Sequence, residues 1–285
     1  MKKRNTLLTV LALCLALTAC GSRTAPAAES SAVAPAPAAS APADNALPDS
    51  SAPAESVFPD SGVRPDMPEE DRLVMAGAYA DMLETLLQTN TLPDGRELAG
   101  DMGEQCFALY DVDGDGAEEL IFSNGNAPCM ADMAAFVYGY DADTESLRLE
   151  LECFPAMDFY DNGAVKVLWS HNQGLAGDSL WPYDLLQYDA ETDSYRWSAM
   201  VDAWDRTLRD TNEAGEPFPA EVDVSGTGVV YFIMTGKEYD TSHPVDVTEY
   251  EAWEQSVLGG AEKLDVIYRE MTEDNIARLR SGELC

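Results

Sequence analysis

Basic residues and histidines are scarce in this chain. Its 285 residues include 17 Lys and Arg against 52 Asp and Glu, which gives a formal net charge of −35. That charge argues against nucleic-acid partners and against electrostatic attraction to anionic lipid, because both are polyanions. The chain has no Cys-x-x-Cys pair, and its two histidines are His171 and His243. A zinc site, which depends on Cys and His ligands, is therefore not expected.

The longest apolar run lies at the N-terminus, where the basic segment 1–4 precedes the apolar segment 6–17. This pattern predicts a secretory signal that is too short for a membrane span. Its end, Leu17-Thr18-Ala19-Cys20, resembles the lipobox of bacterial lipoproteins. The resemblance implies that residues 1–19 are removed, that Cys20 receives a diacylglyceryl group, and that the lipid holds the protein at the cell membrane, outside the cytoplasm. The alternative is a plain signal peptide with an incidental cysteine.

Residues 20–65 carry the predicted lipidated cysteine and are rich in Ala, Pro and Ser. Such a composition cannot bury a core, so the segment is predicted to be a disordered spacer. The composition changes near residue 66, and residues 66–285 are long enough for a single globular domain.

Export permits disulfides among the remaining cysteines, although an anaerobic host could leave them as free thiols. Cys14 leaves with the signal. Four cysteines allow three pairings, and they are Cys106, Cys129, Cys153 and Cys285. We favour Cys106–Cys129, because these two flank the same predicted hairpin.

Residues 111–120 are the one stretch whose residue types and spacing together indicate a specific function, namely the binding of a metal ion. Calcium takes six to eight oxygen ligands, and alternate residues of a tight loop can point inward together. Carboxylates stand at positions one, three, five and nine, and position seven can add its backbone carbonyl. The predicted calcium ligands are Asp111, Asp113, Asp115, Glu119 and the carbonyl of Ala117.

The flanks of this loop exclude a helical EF-hand. Position twelve, where an EF-hand has a bidentate Glu, is Phe122. Residues 105–110 and 119–123 are short, apolar and aromatic, which predicts strands. The loop therefore resembles the calcium-binding hairpin loops of FG-GAP and integrin-type propeller blades, and this resemblance implies a structural Ca²⁺. The alternative is an acidic, Gly-rich turn without metal.

Helices are predicted at both ends of the domain. The first begins at Asp66 as N-cap with Pro68 in its first turn, and it carries an apolar stripe expected to face the core: Leu73, Met75, Tyr79, Met82, Leu83 and Leu86. A capping box at 248–251 opens a second helix, which ends at the glycine pair 259–260. Thr272 opens a third.

Between these helices the pattern predicts successive β-hairpins and hence an α+β fold with a curved antiparallel meander. The predicted strand pairs are 135–140 with 147–151, 157–160 with 165–169, and 183–188 with 195–198, followed by a strand at 229–234. Residues 140–148 and 188–196 repeat one another at a spacing of 48 residues, which lies in the range of propeller blades. Only two copies are evident, so a full propeller is not expected.

The most suggestive remaining segment joins a histidine to aromatic residues. Trp169, His171, Trp181 and Tyr183 are the candidate ligand-binding residues, with Trp197 and Trp204 as possible additions to an aromatic face for sugars; the alternative is that these rings fill the core. Ser170 and His171 are adjacent, so in an extended strand they would point to opposite faces. No Gly-x-Ser-x-Gly motif occurs and no acid pair stands out, so no catalytic residue is assigned.

The ordered region also resembles uncharacterised surface lipoproteins of anaerobic bacteria, through segments 91–95, 107–120 and 169–174. The resemblance implies a lipid anchor and calcium, and no known activity. The leading hypothesis is a lipid-anchored surface protein that binds an unknown ligand. The alternatives are a carbohydrate-binding module for cell-wall or environmental polysaccharide, and an exported hydrolase.

Overall fold

The structure is a computed structural model that describes residues 67–171 and 174–284. These residues form three α-helices and two antiparallel sheets, which confirms the predicted α+β class. The predicted signal segment, Cys20, the spacer, Asp66 and Cys285 lie outside the described residues.

The first sheet contains the predicted loop. Its strands are β1 (Cys106–Tyr110), β2 (Glu119–Asn124), β3 (Ala134–Asp141), β4 (Ser146–Cys153) and β11 (Arg269–Glu270), in the order β11-β1-β2-β3-β4. All pairs are antiparallel. The loop 111–118 joins β1 to β2, as the sequence predicts.

The second sheet holds the remaining hairpins. Its strands are β5 (Met157–Phe159), β6 (Ala164–Leu168), β7 (Tyr183–Asp189), β8 (Ser194–Asp205), β9 (Val229–Met234) and β10 (Pro244–Val245), in the order β10-β9-β8-β7-β6-β5. The predicted antiparallel meander of hairpins is therefore divided between two sheets, which the sequence did not predict. The chain leaves the first sheet at residues 154–156, where Pro155 has no N–H with which to continue a ladder.

The helices are α1 (Glu69–Thr89), α2 (Val247–Leu258) and α3 (Glu273–Arg280). Two predicted helix starts need correction. Pro68 is itself the N-cap of α1 rather than a first-turn residue. Asp246 caps α2 by accepting a hydrogen bond from the Thr248 N–H, because Asp is a strong N-cap and precedes the predicted capping box. In the described part of the chain, no helix has the length and apolar character needed to span a membrane.

α1 and α3 cover one face of the first sheet. Tyr79 and Leu83 of α1, together with Ile276 of α3, pack on Phe107 and Phe122. The predicted α1 stripe is confirmed from Met75 to Leu86, whereas Leu73 is 43% exposed and therefore not part of the core.

The opposite face of the first sheet packs on the second sheet. Ile121 and Val137 from the first sheet join Phe159 and Val165 from the second in one apolar core. α2 covers the outer face of the second sheet, where Tyr250 belongs to the same cluster as its buried residues. The layers therefore run α1/α3, first sheet, second sheet, α2.

The internal repeat is a repeat of structure as well as sequence. Glu145 and Asp193, 48 residues apart, both adopt a left-handed backbone conformation, with φ of 50° and 48°. Each repeat also has a β-bulge at the same place, in the β3–β4 pair and in the β7–β8 pair. The two hairpins lie against each other, since Arg148 of the first forms an ion pair with Asp193 of the second.

The favoured Cys106–Cys129 disulfide is not formed. Cys106, Cys129 and Cys153 are free thiols. Cys106 is half-buried on β1, and its thiol forms a hydrogen bond with the side chain of Ser123 on β2. Cys129 is exposed in the connection between β2 and β3, so flanking one hairpin in sequence did not bring the two sulfurs together.

Candidate metal centre

The acidic loop is held by hydrogen bonds from its backbone N–H groups to the carboxylate of its first residue, Asp111. Asp111 accepts hydrogen bonds from Gly114 N–H at 2.8 Å and from Gly116 N–H at 3.1 Å. Both glycines have left-handed φ angles, 78° and 93°, which side-chain-bearing residues rarely adopt. The loop sequence therefore determines the turn that gathers the acids.

The next two carboxylates are held in the same way. Asp113 Oδ1 accepts a hydrogen bond from Asp115 N–H at 2.9 Å, and Asp115 Oδ1 accepts one from Ala117 N–H at 2.7 Å. The ligand oxygens of Asp111, Asp113 and Asp115 lie within 4.8 Å of one another. These residues therefore form an acidic cluster that could hold a metal ion.

A second acidic group lies deeper and shares Asp113 with the first. The carboxylates of Asp113, Glu119 and Glu150 also lie within 4.8 Å of one another. All three residues are buried, with exposures of 2%, 2% and 7%. We call this set the inner triad, and Asp111, Asp113 and Asp115 the outer triad. Sequence reasoning missed Glu150, which belongs to a different hairpin from the loop.

The bulge in the β3–β4 pair brings Glu150 into the cluster. Val137 pairs with Leu151 and Tyr138 with Leu149, so Glu150 is the extra residue between them. A bulge changes the direction of a side chain, and here it buries Glu150 next to the buried Leu151. The sequence signal for this arrangement is Gly139 on the neighbouring strand β3, because a Cβ at that position would collide with the Glu150 carboxylate.

Two buried oxygens of the inner triad have no hydrogen-bond partner among the described residues. They are Asp113 Oδ2 and Glu150 Oε2, and the neighbouring Tyr195 hydroxyl shares this property. Glu119 Oε2 accepts a hydrogen bond from Val112 N–H at 2.9 Å. Buried polar atoms normally find partners, and leaving them without one costs free energy.

Positive charge near the inner triad is limited. Arg148 Nη2 lies 3.3 Å from Glu150 Oε1, but Arg148 is 40% exposed and also pairs with Asp193. Among the described residues, the three buried carboxylates are therefore compensated only by the partly exposed guanidinium of Arg148.

The pKa values of these carboxyls are raised as a result. Burial, followed by the charge of Asp115, raises the pKa of Asp113 to about 6. Burial and the charge of Asp113 raise the pKa of Glu150 to about 8 and that of Glu119 well above its usual range. Burial also raises the pKa of Asp111. The cluster therefore disfavours its own ionised form unless a cation is bound.

The aromatic segment forms a separate cleft of about 480 Å³. Trp169, His171, Asp184 and Trp197 contribute to its lining. The Trp197 indole N–H donates a hydrogen bond to Asp184 Oδ1 at 3.3 Å. Burial raises the pKa of Asp184. The cleft thus combines indole rings with a carboxylate acceptor.

The other candidate aromatics lie elsewhere. Tyr183 is buried with α2 on the opposite face of β7, where its hydroxyl lies 3.2 Å from that of Tyr250. Trp204 is buried in a further apolar cluster. Trp181 is 46% exposed and donates a hydrogen bond to the Trp169 carbonyl, but it does not line the cleft. The structure therefore brings together Trp169 and His171 but not Trp181 and Tyr183.

Ser170 and His171 do interact, contrary to expectation. Ser170 Oγ lies 2.8 Å from His171 Nδ1, because the chain bends after β6 and is not extended there. Ser242 and His243 make the same 2.8 Å contact in another loop. Among the described residues, no carboxylate lies within ion-pair distance of His171. The Ser–His contact is therefore a local feature of two loops rather than a triad.

Comparison of the chain with protein-family models, curated proteins and solved structures gave no match. Function is therefore inferred from the residues of the chain itself.

Proposed function

We propose that this protein is a lipid-anchored extracytoplasmic protein whose α+β domain, residues 66–285, is stabilised by calcium and binds a ligand at the cell surface. One observation carries the calcium assignment: the inner triad buries three carboxylates whose oxygens converge without a matching positive charge. A bound divalent cation would supply that charge and the missing partners of the buried oxygens.

Calcium is the cation that best fits these ligands. All side chains of both triads offer oxygen, and none offers nitrogen or sulfur. Calcium accepts six to eight oxygens in flexible geometry, whereas magnesium demands a near-ideal octahedron. The resemblance of the loop to FG-GAP hairpin loops supports the same choice, with the Ala117 carbonyl as an additional ligand.

Calorimetric titration of calcium into the chelator-treated full chain tests the assignment, with magnesium as a matched comparison. We expect saturable calcium binding that millimolar magnesium displaces weakly. An absence of heat and of any calcium-dependent change in stability would overturn it.

Replacing Cys20 with alanine is expected to release the protein from the membrane fraction. The reason is that lipid on this thiol, after removal of residues 1–19, is the proposed anchor. The measurement is membrane fractionation together with incorporation of a labelled fatty acid. Cys14→Ala is the matched control, because Cys14 lies within the removed segment and its loss should leave labelling intact. Equal labelling of the Cys20 variant and the wild type would contradict the lipid anchor.

A second candidate function is carbohydrate binding in the cleft of Trp169 and Trp197. Indole rings stack on the apolar faces of sugars, and the Asp184 carboxylate could accept hydrogen bonds from sugar hydroxyls. The size of the cleft, about 480 Å³, lies within the range of small-molecule sites.

Replacing Trp197 with alanine is expected to weaken polysaccharide binding at least tenfold, because it removes a lining ring of the cleft. Tryptophan-fluorescence titration with cell-wall and dietary polysaccharides provides the measurement. Trp181→Ala is the control, since Trp181 is exposed outside the cleft. Equal losses in the two variants, or no binding by the wild type, would reject this candidate.

A further inference from the structure

We propose that the acidic cluster holds two divalent cations, an outer one in the outer triad and an inner one in the inner triad, with the Asp113 carboxylate bridging them. This inference rests on the proposed calcium function. It adds a second cation and assigns Glu150 as a ligand that the loop motif does not contain.

The oxygen–oxygen distances within each triad are short enough for the three carboxylates to share one ion. Calcium–oxygen bonds of roughly 2.3–2.6 Å limit two oxygens on one ion to about 5 Å apart. The ligand oxygens of each triad meet this limit, and the two triads have Asp113 alone in common. Each triad therefore supplies three carboxylates to one ion, and a bridging carboxylate can serve two ions about 4 Å apart.

The inner position has evidence independent of acidity. Glu150 Oε2 and Asp113 Oδ2 are buried and have no hydrogen-bond partner among the described residues. Gly139 leaves the space that the Glu150 carboxylate occupies, and the bulge directs that carboxylate inward. In the second repeat the equivalent bulge residue is Ser198, which is exposed. The first repeat therefore has a buried carboxylate, Glu150, at the bulge position where the second repeat has an exposed serine, and a bound cation would supply a partner for that carboxylate.

Charge balance favours a second ion. The two triads together contain five carboxylates, and when these are ionised, one calcium in the outer triad leaves the charges of Glu119 and Glu150 without a matching metal ion. Arg148 compensates only part of it, because it is partly exposed and shared with Asp193. An inner divalent cation removes the repulsion among Asp113, Glu119 and Glu150 at its source.

The inner cation would also join the two sheets. Glu119 and Glu150 belong to β2 and β4 of the first sheet, whereas Tyr195 belongs to β8 of the second. The Tyr195 hydroxyl is buried, has no partner among the described residues, and lies within the field of all three acids of the inner triad. It is therefore placed to add a neutral oxygen from the second sheet to the inner ion.

Glu150→Gln tests the inference by calcium calorimetry on the full chain. We expect the wild type to bind two calcium ions per chain and the variant to bind one. Glu152→Gln is the matched control: it makes the same substitution two residues along β4 at an exposed side chain paired with Arg96, and it should retain both ions. Gly139→Ala leaves every charge in place but blocks the position of the Glu150 carboxylate, so it should also lose one ion.

Terbium alone provides an independent probe, because tyrosine rings near a bound terbium ion sensitise its emission. Tyrosine-sensitised emission should fall at least twofold in the Glu150→Gln and Gly139→Ala variants and remain unchanged in Glu152→Gln. One calcium per wild-type chain, with binding unchanged in Glu150→Gln, would overturn the second ion and leave the outer site intact. A wild type that binds no calcium would overturn both proposals.

Discussion

Replacing Asp113 with alanine is expected to abolish calcium-dependent stabilisation. Asp113 is the one carboxylate that belongs to both triads, so its loss removes a ligand from each position. Calcium at about a hundred times its dissociation constant stabilises a folded protein by roughly 2.7 kcal/mol per site. For a domain of this size, losing one site corresponds to a fall in melting temperature of about 5–10 °C, and losing both sites to about twice that fall. The variant in calcium should therefore melt well below the wild type.

The behaviour in EDTA distinguishes lost ligation from general damage. Asp113→Ala removes the acceptor of the Asp115 N–H, but it also removes a buried carboxylate whose Oδ2 has no partner, so the metal-free variant should melt close to the metal-free wild type. Asp143→Ala is the control, because Asp143 is an exposed acid in the β3–β4 turn, and it should keep the full calcium response. An EDTA response in Asp113→Ala as large as in the wild type would contradict the assignment.

Calcium and pH are expected to act on stability together. In the calcium-free protein the pKa of Asp113 is about 6 and that of Glu150 about 8, both raised chiefly by burial. The folded state therefore binds more protons than the unfolded chain, whose carboxyls titrate near pH 4. Stability without calcium should consequently fall as pH rises from about 4 to about 8.

Calcium should reverse this trend, because it binds the ionised carboxylates and displaces their protons. The melting-temperature difference between calcium and EDTA should be small at pH 5 and largest near pH 8. Thermal unfolding at both pH values, with and without calcium, provides the measurement. The charged and titratable groups of the cluster are Asp111, Asp113, Asp115, Glu119, Arg148, Glu150, Tyr79, Tyr188 and Tyr195. A calcium effect equal at pH 5 and pH 8 would exclude these carboxyls as ligands.

The outer triad could be predicted from sequence because its geometry is local. Alternate acids and two glycines over a few residues determine both the turn and the direction of the side chains. Glu150 could not be predicted in the same way. In the segment Leu147–Leu151 the alternation places it on the polar face, and only the bulge opposite Val137 and Tyr138 turns it inward. The position of a bulge depends on tertiary packing, and the alternation of apolar and polar residues in the sequence carries no information about that packing.

The same distinction applies to the fold. Turn signals such as Asn162-Gly163 predicted the hairpins, and Thr272 predicted the start of α3, because both depend on neighbouring residues. The separation into two sheets depends on which faces find apolar partners, and β10 and β11, with two residues each, carry too little pattern to detect. The aromatic residues near Tyr183 in the sequence suggest a ligand site, whereas β7 places Tyr183 under α2.

Thermal unfolding of the full chain at pH 8, in excess calcium and in EDTA, tests the central claim most directly. A calcium-bound cluster predicts a melting temperature at least about 5 °C higher in calcium, with magnesium giving a much smaller shift. Coincident unfolding curves in calcium and EDTA would show that the buried carboxylates remain without a cation and would contradict the account.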